Sequence, residues 1–266
     1  MHTFEYLCPQ SVADAAKLVT SKPEAKLLAG GHTLLPTMKQ RLAAPKALVD
    51  LGKVAELKGI DRKGSKLIIG AMTTHAEVAE SSVVKSAIPG LAALAAGIGD
   101  PQVRHRGTIG GSVANNDPAA DYPAAVLGLG ATVRTDRREI AADDFFQGLF
   151  STALEEGEII TGFSFPVPKR AGYVKFPNPA SRYCLVGVMV SEGPQGVRVA
   201  VTGAGQEGVF RAAELEAALA RSFTPAAIEG LKLSPDNLMT DIHAAADYRA
   251  HLIGVMARRA VAKAAG

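Results

Sequence analysis

Cysteine is scarce in this sequence. Among its 266 residues only Cys8 and Cys184 are cysteines, and they lie far apart. Two unclustered thiols provide neither a disulfide framework nor the four thiolates that an iron–sulfur cluster needs. The histidines lack zinc-type spacing; they are His2, His32, His75, His105, His243 and His251. Any redox chemistry in this chain therefore requires an organic cofactor.

Long apolar runs and a strong charge imbalance are also missing. The most apolar run, residues 90–98, is too short to cross a bilayer. The first ten residues, MHTFEYLCPQ, lack the basic start and apolar stretch of a secretory signal. A formal net charge of +3 is too small to indicate a basic surface that binds nucleic acid. We therefore predict a cytoplasmic globular protein with one large domain or two of ordinary size.

Apolar periodicity and turn residues predict a mixture of helices and strands. In the first part we expect helices over residues 11–20, 36–42, 89–98 and 122–129, and strands over 26–29, 47–51, 66–71 and 158–166. Thr74 and Glu77 have the spacing of a capping box, and Asp136 marks a hairpin. After a proline-rich boundary, we expect a hairpin of 184–191 and 196–202, then helices over 212–220, 225–230 and 247–264. Residues 100–121 read as one long loop, which is usually functional or disordered.

Two glycine-centred turns are the first candidates for a binding site. They are residues 29–35, AGGHTLL, and residues 107–112, GTIGGS. Adjacent glycines let successive backbone N–H groups point to one anion with no Cβ in the way. Two such turns can hold a pyrophosphate, and valine at Gly110 should then weaken cofactor binding more than folding. A single glycine pair, however, is more often only a tight turn.

The segment after the second turn adds polar side chains, namely Asn115, Asn116, Asp117 and Asp121. Asp121 can cap the helix predicted at 122–129, or it can accept hydrogen bonds from ribityl or ribose hydroxyls. The residues alone leave both roles open. Residues 104–106, Arg-His-Arg, form either a solvated charge cluster or a surface that faces phosphate or a partner.

A third glycine pattern at residues 203–208, GAGQEG, matches the dinucleotide fingerprint G-x-G-x-x-G. That fold needs a second parallel strand with an acidic residue about twenty positions later. The sequence offers helices there instead. We therefore interpret this pattern as a turn between a hairpin and a helix.

Four segments resemble the FAD-binding medium subunit of the molybdenum hydroxylases: LLAGGHTLLPTMKQRLAAPKALVDL, IGAMTTHAEV, IGDPQVRHRGTIGGSVANNDPAADYPAA and KFPNPASRYCLVGVMV. The similarity extends over essentially the whole chain, and the order and spacing of AGGHTL and TIGG are specific to this family. The family includes aerobic carbon monoxide dehydrogenases, bacterial aldehyde and nicotinate dehydrogenases, and the middle domain of xanthine dehydrogenase. The sequence resembles in particular the carbon monoxide dehydrogenase-like medium subunits.

The resemblance implies an α+β fold. Residues 1–168 would form a FAD-binding domain of the PCMH/VAO type, with subdomains of about 1–52 and 53–168. Residues 169–266 would form an antiparallel sheet with helices, of the carbon monoxide dehydrogenase flavoprotein C-terminal type. Some relatives have a cysteine-rich insertion that holds an extra iron–sulfur cluster. Because those cysteines are missing here, we expect no such cluster.

The resemblance also implies which residues contact FAD. One group would lie at the pyrophosphate: Ala29, Gly30, Gly31, His32, Thr33 and Leu34. A second group would face it: Thr108, Ile109, Gly110 and Gly111, with Ile98 and Gly99 nearby. Asn115 and Asp121 would meet polar parts of FAD, and Ile160 would pack on it. Lys175 matches a flavin-side lysine that can stabilise a reduced, anionic flavin, and Tyr183 matches an aromatic near the isoalloxazine. For His32 a simple turn role stays equally open. We expect no catalytic residue and no metal ligand in this chain.

The function implied by the resemblance is electron transfer in an oxidoreductase. A large subunit with the molybdenum cofactor would oxidise the substrate. A small subunit with [2Fe–2S] clusters would pass electrons singly to FAD, and the reduced flavin would deliver them to an external acceptor such as a quinone, NAD or a cytochrome. The expected assembly is a heterohexamer, a dimer of heterotrimers, that is cytoplasmic or peripheral to the inner membrane through the complex.

Two other functions remain open from the sequence. A self-sufficient flavin oxidoreductase of the same fold would bind its own substrate, and it would need catalytic groups beyond Tyr122, Tyr183 and Lys175. A non-enzymatic scaffold would use the glycine turns only for folding. Binding of FAD and reduction by a substrate distinguish these alternatives.

Overall fold

The computed structural model describes residues 1–265 and has the predicted α+β fold. Gly266, the last residue of the predicted C-terminal domain, lies outside the described residues. The strands are β1 (Glu5–Leu7), β2 (Ala25–Leu28), β3 (Ala47–Asp50), β4 (Ile60–Lys63), β5 (Lys66–Gly70), β6 (Thr132–Thr135), β7 (Glu139–Ala141), β8 (Phe146–Gly148), β9 (Ser151–Thr152), β10 (Ile160–Pro166), β11 (Arg170–Pro177), β12 (Cys184–Gly193), β13 (Gly196–Gly205) and β14 (Gly208–Arg211).

The α-helices connect these strands and cover the sheets. They are α1 (Val12–Ser21), α2 (Leu34–Lys39), α3 (His75–Glu80), α4 (Ser82–Ala87), α5 (Pro89–Ala96), α6 (Pro101–Arg104), α7 (Ile109–Asn115), α8 (Tyr122–Gly128), α9 (Ala142–Phe145), α10 (Ala213–Arg221) and α11 (Ala246–Ala264). Short 3₁₀ turns lie at Leu51–Lys53, Ala55–Leu57 and Pro225–Ile228. Within residues 1–265, none of the helices has both the length and the apolar character to cross a membrane.

The first sheet is parallel and has the order β1-β3-β2. Parallel neighbours need a crossover connection, and α1 and α2 provide it. Ser11 caps α1, because its hydroxyl accepts from the N–H of Asp14 at 3.1 Å. The end of β2 leads directly into the first glycine turn, so this sheet positions one side of the site.

The second sheet is antiparallel and has the order β4-β5-β10-β6-β7. Its central strand β10 contributes Phe163 and Phe165, both fully buried. The predicted capping box is present, since Thr74 and Glu77 exchange side-chain and backbone hydrogen bonds at the start of α3. The same core also contains Tyr173 and Met189 from the third sheet. Packing therefore continues from this sheet into the C-terminal part of the chain.

The third sheet is an antiparallel meander, β11-β12-β13-β14, and α11 packs on β11 and β12. The helix predicted over residues 247–264 is confirmed, and Leu252, Met256 and Ala260 on one face of it are all buried. The hairpin of β12 and β13 is also confirmed, with Val190 opposite Val199. Burial of these apolar faces stabilises the sheet against the helix.

Two predictions about glycine-rich segments are wrong. Residues 100–121 are not one long loop, because they contain α6 and α7. Each helix has a side-chain cap: Asp100 accepts from the N–H of Val103, and Thr108 accepts from the N–H of Gly111. The predicted turn within residues 203–208 is formed by Gln206 and Glu207 alone, and it leads from β13 into β14 and not into a helix.

Asn116 is a structural residue, although its neighbours line the site. Its backbone is left-handed (φ 44°), and its side chain is almost fully buried. The side-chain amide donates to the carbonyls of Gly148 and Ser151 at 2.8 and 2.9 Å. Asn116 therefore ends α7 and fastens the β8–β9 hairpin to it.

Replacing Asn116 by alanine should lower the free energy of unfolding by about 2–3 kcal/mol, because two hydrogen bonds are lost and alanine tolerates the left-handed backbone poorly. Urea denaturation measures this change. Asn115→Ala is the matched control, because its side chain makes no hydrogen bond among the described residues. Equal unfolding midpoints for the two variants would contradict the structural role of Asn116.

Candidate functional site

The first glycine turn leaves a row of backbone donors free. Gly31 has a φ of +78°, which favours glycine. Among the hydrogen bonds of residues 1–265, the N–H groups of Gly30, Gly31, His32 and Thr33 have no protein acceptor. Successive free N–H groups in a turn form an anion-binding concavity. This turn can therefore donate to a phosphate.

The second glycine turn lacks the free backbone donors that the sequence predicts for it. It is the first turn of α7, and its N–H groups are already bonded: Ile109 donates to Thr73, and Gly110 donates to Ala71. A Cβ on Gly110 would lie 2.7 Å from the Cβ and carbonyl oxygen of Ala71. Valine at Gly110 should therefore disturb folding directly, which corrects our expectation of a selective loss of binding. The Thr108 hydroxyl accepts from Gly111 and retains its own hydrogen for a ligand.

The two turns lie side by side, as the sequence predicts. A Cβ on Gly30 would lie 2.2 Å from the carbonyl oxygen of Arg106, just before the second turn. A Cβ on Gly111 would lie 3.4 Å from the Cβ of Ala29. Both turns open into one cleft of about 1120 Å³. Typical small-molecule pockets have roughly 300–1,000 Å³, so the volume of the cleft is sufficient for a ligand of dinucleotide size.

Fifteen of the seventeen predicted contact residues line this cleft: Ala29, Gly30, Gly31, His32, Thr33, Leu34, Ile98, Gly99, Thr108, Gly110, Gly111, Asn115, Asp121, Ile160 and Tyr183. The other two are placed elsewhere. Ile109 is fully buried in the largest core. Lys175 lies behind Asp121, outside the set of residues that forms the wall. The structure thus brings together the predicted residues from both turns and from the later elements.

Asp121 and Lys175 form a buried ion pair beside the cleft. Their charged atoms are 3.0 Å apart, and the side chains are 6% and 11% exposed. Asp121 stands at the start of α8 but makes no capping hydrogen bond. Burial raises the pKa of Asp121, while Lys175 and the Tyr173 hydroxyl oppose that rise. Of the two roles left open by the sequence, helix capping by the carboxylate is absent.

His75 is a further part of the site that the sequence did not single out, and Arg104, from the predicted charge cluster, lies close to it. Burial, together with the nearby charges of His32 and Arg104, lowers the pKa of His75 to about 4. Its Nδ1 has no hydrogen-bond partner within residues 1–265. Arg104 donates to the carbonyls of Ile98 and Gly99 at 2.9 and 3.2 Å. Arg104 thus supports the cleft wall, whereas His105 and Arg106 are exposed.

The far parts of the wall come from segments without a recognisable motif. They include residues 19–28 and 152–159. In the second segment, the hydrogen bond from Arg138 holds the pKa of Glu158 at about 2. At the other side, Tyr183 is exposed on a loop in which Asn178 accepts from the N–H groups of Ala180 and Ser181. Tyr183 was expected here from the resemblance, whereas residues 154–159 carry no motif and reach the cleft through tertiary packing.

Comparisons with a family model, with known sequences and with solved structures all match this chain to the same kind of protein. The family described as the FAD binding domain in molybdopterin dehydrogenase matches residues 2–168. The chain is 35% identical to the carbon monoxide dehydrogenase medium chain of Hydrogenophaga pseudoflava, over 97% of this chain and 96% of that protein. It is also 35% identical to the nicotine 6-hydroxylase medium subunit of Paenarthrobacter nicotinovorans, over 97% and 96%. The structure of carbon monoxide dehydrogenase from Oligotropha carboxidovorans matches with a TM-score of 0.90 at 35% identity, over 99% and 98% of the chains.

Proposed function

The chain belongs to the family of FAD-binding medium subunits of the molybdenum hydroxylases, and on this premise we propose that it relays electrons through FAD within a larger complex. It is a subunit of an oxidoreductase, and its cofactor is FAD. The observation that carries the proposal is the single cleft in which both glycine turns meet. When bound, FAD supplies the redox chemistry, and the protein supplies binding, orientation and electrostatics.

The chemistry of the cleft fits FAD. We propose that the free N–H groups of the first turn and the Thr108 hydroxyl hold the diphosphate. Gly111 leaves the gap between the turns open, because it places no side chain opposite Ala29. Ile98 and Ile160 offer apolar contacts to the rings of FAD. Asn115 and Asp121 offer hydrogen bonds to its polar parts.

The direction of electron flow and the assembly are part of the proposal. We infer that a [2Fe–2S] small subunit delivers the electrons and that a large subunit with the molybdenum cofactor oxidises the substrate. The relatives include proteins named for carbon monoxide and for nicotine, so the substrate is expected to be selected on the partner and not on this chain. We further propose that the complex is a dimer of heterotrimers. It would lie in the cytoplasm or at the inner membrane, and it would pass its electrons to an external acceptor.

Reconstitution with FAD tests this function. The purified chain should acquire a flavin absorption spectrum that dithionite bleaches, while carbon monoxide or an aldehyde alone leaves it unchanged. Bleaching by either substrate without partner subunits would support a self-sufficient enzyme instead. A folded protein that does not take up FAD would support a scaffold role and would overturn the proposal.

A further inference from the structure

Behind the wall of the cleft lies a buried polar cluster that the proposed binding contacts do not explain. We call it the Tyr173 cluster; it consists of Asp121, Tyr173, Lys175 and Cys184. Asp121, Tyr173 and Cys184 are buried, and Lys175 is nearly so. Only Asp121 reaches the wall of the cleft. The other members therefore act on a ligand through this carboxylate.

The hydrogen bonds of the cluster converge on Asp121. The Tyr173 hydroxyl donates to Oδ1 at 2.6 Å, and the Lys175 ammonium donates to Oδ2 at 3.1 Å. The sulfur of Cys184 lies 3.7 Å from the Tyr173 oxygen. The Lys175 ammonium also lies 3.0 Å from Oδ1, so it contacts both carboxylate oxygens, whereas the Tyr173 hydroxyl binds only Oδ1. Hydrogen bonds to a buried, charged acceptor fix both its orientation and its protonation state.

The sheet is shaped to admit the Tyr173 hydroxyl. Gly187 on β12 lies opposite Lys175 on β11, two residues from Tyr173. A Cβ at Gly187 would lie 2.4 Å from the Tyr173 oxygen and 2.6 Å from the Cys184 sulfur. The missing side chain therefore creates the space in which this hydroxyl reaches Asp121.

We propose that Tyr173 is a positioning residue that tunes the redox potential of the bound flavin, because it fixes the Asp121–Lys175 ion pair at the cleft wall. This inference rests on the proposed function. While Asp121 is ionised, its charge offsets that of Lys175. When Asp121 is protonated, the lysine charge is uncompensated and favours the more negative, reduced cofactor. The protonation of Asp121 thus sets the local charge, and Tyr173 controls that protonation.

Among the side chains of this cluster, we expect the charge of Asp121 to change with pH. Tyr173 and Lys175 face it from β11, Cys184 from β12, and Tyr122 follows it on α8. Burial raises the pKa values of Tyr122, Tyr173 and Cys184, so these three stay neutral. Removing the Tyr173 donor should raise the pKa of Asp121 further, because a hydrogen bond to the carboxylate favours its ionised form.

The test is the pH dependence of the flavin midpoint potential, measured by spectroelectrochemistry on the FAD-bound chain. In Tyr173→Phe, the inflection caused by Asp121 should move to higher pH by about one to two units. Between the old and new inflections, the potential should be more positive than in the unaltered protein. Gly187→Ala should shift the inflection in the same direction, since its methyl group displaces the same hydroxyl.

Tyr122→Phe is the matched control, because it removes a buried hydroxyl that has no hydrogen-bond partner within residues 1–265. Its profile should equal that of the unaltered protein. An unchanged profile in Tyr173→Phe would overturn the inference, as would an equal shift in Tyr122→Phe. If Tyr173→Phe does not fold, the pH profile of Gly187→Ala is measured instead, and an unchanged profile in that variant would overturn the inference. An unaltered chain that binds no FAD would instead overturn the proposed function, and this inference with it.

Discussion

Replacing Gly111 by valine is expected to lower the affinity for FAD about a hundredfold, which corresponds to the loss of one or two hydrogen bonds to a charged phosphate. The new side chain would enter the gap between the two glycine turns, where its Cβ lies 3.4 Å from that of Ala29. Its contact with the Thr108 oxygen, at 3.0 Å, is tight but involves a side chain. Fluorescence titration with FAD measures the affinity, and urea denaturation measures the stability.

Gly254→Val controls for the effect of valine in a helix. Gly254 lies in α11, and a Cβ there would meet no atom within 4 Å. This variant should bind FAD as tightly as the unaltered chain. A folded Gly111→Val protein with unaltered FAD affinity would show that the gap between the turns does not hold the diphosphate.

Replacing Lys175 by methionine is expected to lower the free energy of unfolding by about 3–5 kcal/mol, because it leaves a buried carboxylate without its cation. The loss should depend on pH. Without Lys175, the folded-state pKa of Asp121 rises further above its unfolded value. The free energy of unfolding of this variant is then retained below the pKa that Asp121 has in the unfolded state. It decreases as the pH rises through the pKa that Asp121 has in the folded state. Urea denaturation at low and neutral pH measures both effects.

Two further variants make this test specific. Asp121→Asn added to Lys175→Met should recover much of the stability, because no unpaired charge remains. Lys169→Met removes a solvent-exposed lysine that pairs with the half-buried Glu192, and it should change stability little. Equal losses in Lys175→Met and Lys169→Met would mean that the Asp121–Lys175 pair is not buried in solution.

Much of the fold can be predicted because its signals are local. The capping box of Thr74 and Glu77 lies within four residues, and the apolar face of α11 repeats every four. Strand β1 was missed because its partner is about forty residues away, with Glu5 opposite Ala47. Its three residues carry no apolar alternation of their own. Tertiary pairing alone stabilises such a strand.

The helix α7 was missed for a different reason. Gly110 and Gly111 have low helix propensity, so the sequence favours a loop. In the structure the Thr108 cap and the close packing of Gly110 on Ala71 outweigh that propensity. The same glycines that indicated a phosphate clamp therefore also serve to pack the helix against β5 and its following turn.

The site could be predicted from the family resemblance more fully than from the residues alone. Which of its residues contact FAD stays a prediction, but the common cleft follows from the packing of β2, α7 and α8. The position of Lys175 could not be predicted. Its shielding by Asp121 depends on how β11 packs against α8, and sequence spacing does not specify that contact.

A crystal structure of the chain with bound FAD would show directly where the diphosphate lies. We predict electron density for the diphosphate between Gly31 and Gly111, within hydrogen-bond distance of the free N–H groups at residues 30–33. Density for the diphosphate outside this gap, with both turns facing solvent, would contradict this prediction.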